Sequence, residues 1–79
     1  MEEETYELIT DKAYRIVKEI EQEVEKELNE GKPYFVKSKK ELHKRLTGSR
    51  GIQFILRQLK KKYNVIEDGS WYILWKKKQ

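Results

Sequence analysis

The sequence predicts an α+β fold with a long N-terminal helix, two short helices and a small three-stranded antiparallel sheet. Three observations lead there. Apolar residues recur every three or four positions from Tyr6 to Leu28, and a Ser-x-x-Glu capping box at Ser38 opens a second helical stretch. After Tyr63 the apolar period falls to two, with Asp68-Gly69 between two aromatic and β-branched runs.

A chain of 79 residues holds one domain, because a second core could not be assembled from what the first leaves over. Its hydrophobic fraction is 37% and its charged fraction 41%. A core of this kind supplies roughly 3 to 5 kcal/mol, so dimerisation would add stability. There is no Cys, which excludes a disulfide, a thiolate metal site and a Cys nucleophile. With one His, a metal site would need carboxylates alone, and no metal, cofactor or small-molecule ligand is expected. No apolar run approaches the roughly 18 to 20 residues of a membrane span, and the acidic opening Met1-Glu2-Glu3-Glu4 is unlike a signal peptide. The expectation is a cytoplasmic protein with no membrane partner.

The net charge of +4 conceals two electrical halves. Residues 1–30 hold 11 acidic groups against 4 basic ones, a net of −7, whereas residues 31–79 hold 14 basic against 3 acidic, a net of +11. A basic block of this density repels itself, and a polyanionic partner whose counterions are released on binding is the usual reason to tolerate it.

The acidic part, 1–30, reads as one helix. Tyr6, Ile9, Ala13, Ile16, Val17, Ile20, Val24 and Leu28 fall on one stripe, with Glu19, Glu21, Glu23 and Glu25 largely off it. Gly31 can take the left-handed conformation that ends helices, and Pro33 prevents resumption. Some 25 residues make a rod of about 40 Å, longer than the remaining domain needs for cover. The spacing Tyr6, Ile9, Ala13, Ile16, Ile20 fits a heptad seam, so a homodimer packed along this helix is expected. The plainer alternative is an amphipathic helix folded back on its own domain.

The basic part, 32–78, begins with Tyr34-Phe35-Val36, three residues of high β propensity. The capping box Ser38-Lys39-Lys40-Glu41 then starts a helix with Leu42 and Leu46 inward. Thr47-Gly48-Ser49 breaks it, and Ser49 or Thr47 can cap the next helix, whose apolar face holds Ile52, Ile55, Leu56, Leu59 and Tyr63. Two short helices joined through a Gly make a helix-turn-helix. With Asp68 and Gly69 at a hairpin tip, Glu67 faces Ser70, Ile66 faces Trp71 and Val65 faces Tyr72. A lone hairpin is marginal, and Tyr34-Phe35-Val36 supplies the third strand.

The stretch from Ser38 through Glu41, Leu42, Gly48, Ser49 and Arg50, followed by Leu56-Arg57-Gln58-Leu59, resembles the helix-turn-helix core of winged-helix transcription regulators. In that family a capped Lys-Glu-Leu helix leads through a Gly turn into a Ser-Arg start and an Arg-x-Leu register. Size and charge are most similar to small winged-helix proteins of archaeal viruses and plasmids, and the resemblance covers about 45 of the 79 residues. It implies that the helix from Ser49 to Tyr63 enters the major groove of double-stranded DNA and that the hairpin is the wing.

A helical wheel selects contact residues without the family. With Ile52 at the centre of the apolar face and 100° per residue, Arg50, Phe54, Arg57 and Lys61 lie at about 160°, 200°, 140° and 180°, and Gln53 flanks them at about 100°. Arg can read guanine and Gln adenine, while Lys61 suits phosphate. Phe54 either meets a thymine methyl or, if the helix is rotated, packs under the first helix. Lys60 and Lys62 add backbone contacts, as do Lys39, Lys40 and Lys44 of the preceding helix. Trp71 and Trp75 share a strand face with Ile73 and are expected as core or strand-pair anchors.

The tip Glu67-Asp68-Gly69-Ser70 departs from the family, whose wings commonly carry Arg or Lys there. Two carboxylates would repel phosphates, so the wing is held away from the duplex or touches protein. Lys76 to Lys78 read as an electrostatic tail. His43 has no Asp orienter in phase, and no phosphate loop or metal cluster occurs, so no enzyme is expected. Three functions compete: a sequence-specific DNA-binding regulator, a non-specific DNA-coating or architectural protein, and a winged helix that binds protein.

Overall fold

The computed structural model describes residues 2–46 and 48–77, with side chains from residue 11 onward. Thr47 and Lys78, and the side chains of Tyr6 and Ile9, therefore lie outside the described set. The order of elements is α1 (Glu2–Asn29), β1 (Phe35–Ser38), α2 (Lys39–Arg45), α3 (Ser49–Lys62), β2 (Tyr63–Asp68) and β3 (Trp71–Lys76). The protein is thus α+β, with three helices and one antiparallel sheet in the order β1-β3-β2. No helix among the described residues is long and apolar enough to cross a membrane.

α1 ends where its sequence stops being able to continue. Gly31 takes φ 98°, its N–H donates to the Leu28 carbonyl at 3.1 Å, and the Lys32 N–H donates to the Glu27 carbonyl at 3.2 Å. These bonds satisfy the last helical carbonyls in the Schellman arrangement. Ala13, Ile16, Val17, Ile20 and Val24 are buried, and Leu28 packs at the edge of the same cluster. This stripe lies chiefly along α3 and extends to β1 and β3.

At α2 the Ser38 hydroxyl accepts from the Glu41 N–H at 3.3 Å, as a capping residue should. The Glu41 carboxylate turns instead toward Lys37, 3.9 Å away, so the reciprocal half of the expected capping box is replaced by an ion pair. The start of α3 also differs from expectation. Its cap is Gly48, at φ 100° and with no side-chain cap bond, and Ser49 is the first helical residue.

Gly51, which no sequence signal marks, is buried at the α2–α3 junction. A Cβ there would overlap Leu46 Cδ2 and come within 2.9 Å of Leu46 Cγ. Leu46 is itself only 4% exposed and has little room to give. The missing Cβ lets the end of α2 close onto α3.

α3 runs into β2 without a loop, and this passage decides which face of the sheet is inside. Tyr63 follows Ile52, Ile55 and Leu59 on the buried side of α3 and is 3% exposed. Strand alternation then turns Val65 inward, and its pairing with Leu74 brings Leu74 and Tyr72 in as well. Of the two roles expected for Trp71 and Trp75 with Ile73, core anchors or strand-pair anchors, the first is corrected. Those three occupy the outer face of β3, and Trp71 is 49% exposed. The hairpin register is corrected too. Asp68 pairs with Trp71, Glu67 with Tyr72 and Val65 with Leu74, so the two-residue turn is Gly69-Ser70. Gly69, at φ 59°, supplies the positive φ at the first central position. Ser70 is held by its carbonyl, which accepts from the Lys39 N–H at 2.9 Å.

Gly51→Ala is expected to destabilise the protein despite the better helix propensity of Ala. Overpacking costs about 1–3 kcal/mol and propensity returns up to about 1, leaving a net loss of about 1 kcal/mol. Urea unfolding of the two proteins measures it.

Candidate nucleic-acid interface

The acidic helix serves as an internal counterion for part of the basic half. Glu19 pairs with Arg45 of α2, Glu21 with Lys62 at 3.1 Å, Glu23 with Lys37 of β1 at 3.4 Å, and Glu25 with Lys76 of β3 at 3.4 Å. Beyond the helix end, Lys32 returns to Glu27 at 2.6 Å. From the sequence these glutamates are placed only as falling largely off the apolar stripe. Their alternation in sequence, Glu19 to Glu25 at every second position, spreads them to both flanks of the buried stripe, where they reach α2 and α3 as well as the sheet. The opposed charges of the two halves were the signal that could have found them.

This belt sorts the cations. From Lys32 onward, the described basic residues that pair with no described acidic group are Lys40, Lys44, Arg50, Arg57, Lys60, Lys61 and Lys77. All but Lys77 lie on α2 and α3. Lys39, expected among the contacts, is occupied otherwise: its Nζ lies 3.4 Å from Glu67 and 5.4 Å from the centre of the Tyr72 ring.

On α3 the buried residues Gly51, Ile52, Ile55 and Leu59 put the inner face at Ile55 rather than Ile52. Counting 100° per residue from Ile55, Gln53 falls at about 160°, Arg57 at about −160°, Arg50 at about −140° and Lys60 at about 140°, with Lys61 at the margin near −120°. All five are exposed, as is Ser49 at the helix start. The rotation moves Gln53 from the flank to the middle of the outer face and removes Phe54. Phe54 is half-buried against α1, its ring 5.8 Å from that of Tyr14 and tilted by 54°. Its expected contact with DNA is corrected: of the two roles foreseen for it, packing under α1 is the one it fills.

Beside α2, an open cleft of about 510 Å³ is lined by Lys39, Lys40, His43, Lys44, Gly69 and Ser70. His43 Nε2 lies 3.3 Å from the Tyr72 hydroxyl. The cleft has the charge and size to receive an anionic group. The acidic turn does not oppose this fully, because Glu67 is paired with Lys39, leaving Asp68 as the carboxylate of the hairpin tip that pairs with no described cation. Among the described residues, no group of His, Asp and Glu side chains is placed to hold a metal ion.

The expected dimer seam is placed differently from the sequence reading. Ala13, Ile16 and Ile20 are 1–2% exposed within the chain itself, spent on its own core and closed to a second copy in this arrangement.

The belt has one part-buried anchor. The Tyr63 hydroxyl donates to Glu25 Oε2 at 2.7 Å. That hydrogen bond, with Lys76 adding its charge, lowers the Glu25 pKa below the usual carboxylate value, and the Arg45 hydrogen bond does the same for Glu19. Burial, then the hydrogen bond to Glu25, pushes the Tyr63 hydroxyl above its ordinary range. A carboxylate with a depressed folded-state pKa contributes stability above its unfolded value, about 4.3, and loses it as the pH falls through the folded value. Tyr63→Phe should therefore cost about 1 kcal/mol at neutral pH. The gap from the parent should narrow as the pH falls through the folded-state value of Glu25, which lies below the usual carboxylate value. Thermal melts across this range check both parts. Compared with protein families, curated proteins and solved structures, the chain finds no match in any of the three.

Proposed function

We propose that the protein is a winged helix-turn-helix that binds double-stranded DNA and regulates transcription by reading the major groove with α3. The observation that carries this reading is the sorting of cations: the acidic helix pairs with Lys37, Arg45, Lys62 and Lys76, and on α2 and one face of α3 it leaves exposed basic groups that pair with no described carboxylate. The order α1-β1-α2-α3-β2-β3 fits a winged helix, with α2 and α3 as the helix-turn-helix and β2–β3 as the wing. Arg50, Gln53 and Arg57 reach base edges, Arg through a bidentate fork on guanine and Gln on adenine. Lys60 and Lys61, farther along α3, and Lys40 and Lys44 on α2 meet phosphates. Ser49 stands at the start of α3, where a hydroxyl can also donate to a phosphate oxygen. The wing, its Glu67 folded back onto Lys39, stays clear of the backbone.

Titration of a randomised duplex pool at two salt concentrations, followed by recovery of bound sequences, tests the reading. Arg50→Ala or Arg57→Ala should weaken binding to the recovered sequence about tenfold or more and relax its preference at one or two positions. Lys60→Ala and Lys61→Ala should weaken all duplexes alike and reduce the salt slope by about 0.9 each. Lys76→Ala, which removes a cation of the internal belt, should leave affinity unchanged. Binding without preference for any recovered sequence would assign the protein to DNA coating, and no binding at about 50 mM salt with micromolar protein would remove DNA as the partner.

A further inference from the structure

The outer face of the sheet is apolar and nearly uncharged in a chain that is 41% charged. Val36, Ile73 and Ile66 stand side by side across the three strands, with Trp71 and Trp75 on either side of Ile73 along β3. Val36 is 42% exposed, Ile66 48% and Trp71 49%. The lysines of β1 and β3, Lys37 and Lys76, turn to the helix side and are tied to α1, as Glu67 is to Lys39. Asp68 is the one ionised group among the strand residues of this face.

We infer that this face is the contact between two copies of the chain, packed sheet to sheet about a two-fold axis. A polyanion finds no cation here, and a charged protein partner finds no complement. A second copy meets its own neutral surface, so two chains of net charge +4 come together without opposing like charges. Area supports the same occupant. With about 150–250 Å² for a full aromatic side chain and somewhat less for Val and Ile, the exposed fractions amount to roughly 350 Å² of contiguous apolar surface. Doubling it gives roughly 700 Å², and because apolar atoms make about 60% of an interface, the total approaches about 1,200 Å², the lower limit of a specific contact. A contact of this size stands at the low end of specific interfaces, so a weak, concentration-dependent dimer is expected.

The only two tryptophans in the chain, Trp71 and Trp75, both lie on this face, so their emission reports its burial. Sedimentation equilibrium and tryptophan emission are followed from about 1 to 200 micromolar protein, in the absence of DNA. The expected result is a monomer–dimer equilibrium with emission moving to the blue as dimer forms. The double variant Val36→Lys/Ile66→Lys, at positions already exposed to water, should raise the dissociation constant tenfold or more and abolish the shift, with an unchanged far-ultraviolet circular dichroism spectrum. A chain monomeric throughout would overturn the proposal, as would a dimer unaffected by the double variant. An emission shift produced only by neutral phospholipid vesicles would replace the second copy by a lipid surface. No residue of this face belongs to the DNA-contacting set, so failure here leaves the DNA reading standing, and the converse holds.

Discussion

Tyr63 is the residue on which the arrangement turns. It is the last apolar position of the α3 stripe and the first residue of β2, so its burial fixes the phase of a helix and the facing of a strand together. Had a loop intervened, the sheet could have presented either face to the helices, because Trp71-Tyr72-Ile73-Leu74-Trp75 is apolar at every position. With no loop, Val65, Leu74 and Tyr72 are committed to the core and the tryptophans to the outside. The same side chain reaches α1 through its hydroxyl, joining the long helix to the sheet at Glu25. A buried hydroxyl without a partner would be costly; bonded to a carboxylate, it locates α1 along its axis.

That placement governs the electrostatics. With Glu25 fixed at Tyr63, the helix repeat sets Glu21 beside Lys62 and Glu19 beside Arg45, while Glu23 meets Lys37. Each exposed pair is worth little alone. Their joint effect is to choose which cations remain. The segregation of charge in the sequence therefore has two sources, an internal belt and an external surface, and only the second bears on a partner. The +11 of residues 31–79 overstates the charge available for binding, because the belt consumes part of it.

Much of the fold was legible because local chemistry decided it. Gly31 and Pro33 ended α1, Ser38 capped α2, and the change of period at Tyr63 marked the passage into strands. What was misread depended on tertiary contacts. Centring the α3 wheel on Ile52 instead of Ile55 moved Phe54 to the solvent face and Gln53 off it, because Leu56, Leu59 and Phe54 permit several phases and only packing against α1 selects one. Asp68-Gly69 is a strong turn signal, yet the turn is Gly69-Ser70, where the Ser70 carbonyl can bond to the start of α2. Gly51 looked like any helix glycine until Leu46 was seen against it. Ala13, Ile16 and Ile20 satisfied a heptad, but three or four residues between apolar positions describe a seam with a second copy and a seam with α3 equally well.

The two proposed surfaces lie on opposite sides of the sheet, and their electrostatic independence follows from distance. The helices pack on the face that carries Tyr72, Leu74 and Val65, so copies meeting through the other face keep α2 and α3 on the far sides of both sheets. Stacked sheets lie about 10 Å apart, and the helix layers stand beyond them. The unpaired cations of one copy are therefore separated from those of the other by much more than a Debye length, about 8 Å at physiological salt, and their mutual repulsion is screened. Neutralisation by phosphate has little to change at the sheet contact. Any coupling of the two surfaces would come instead from geometry, through a dimer that presents two α3 helices to one duplex, and by linkage it would act equally on both associations. Dimerisation through the buried stripe of α1 would have no such freedom, because Ala13, Ile16 and Ile20 are already engaged in the chain's own core.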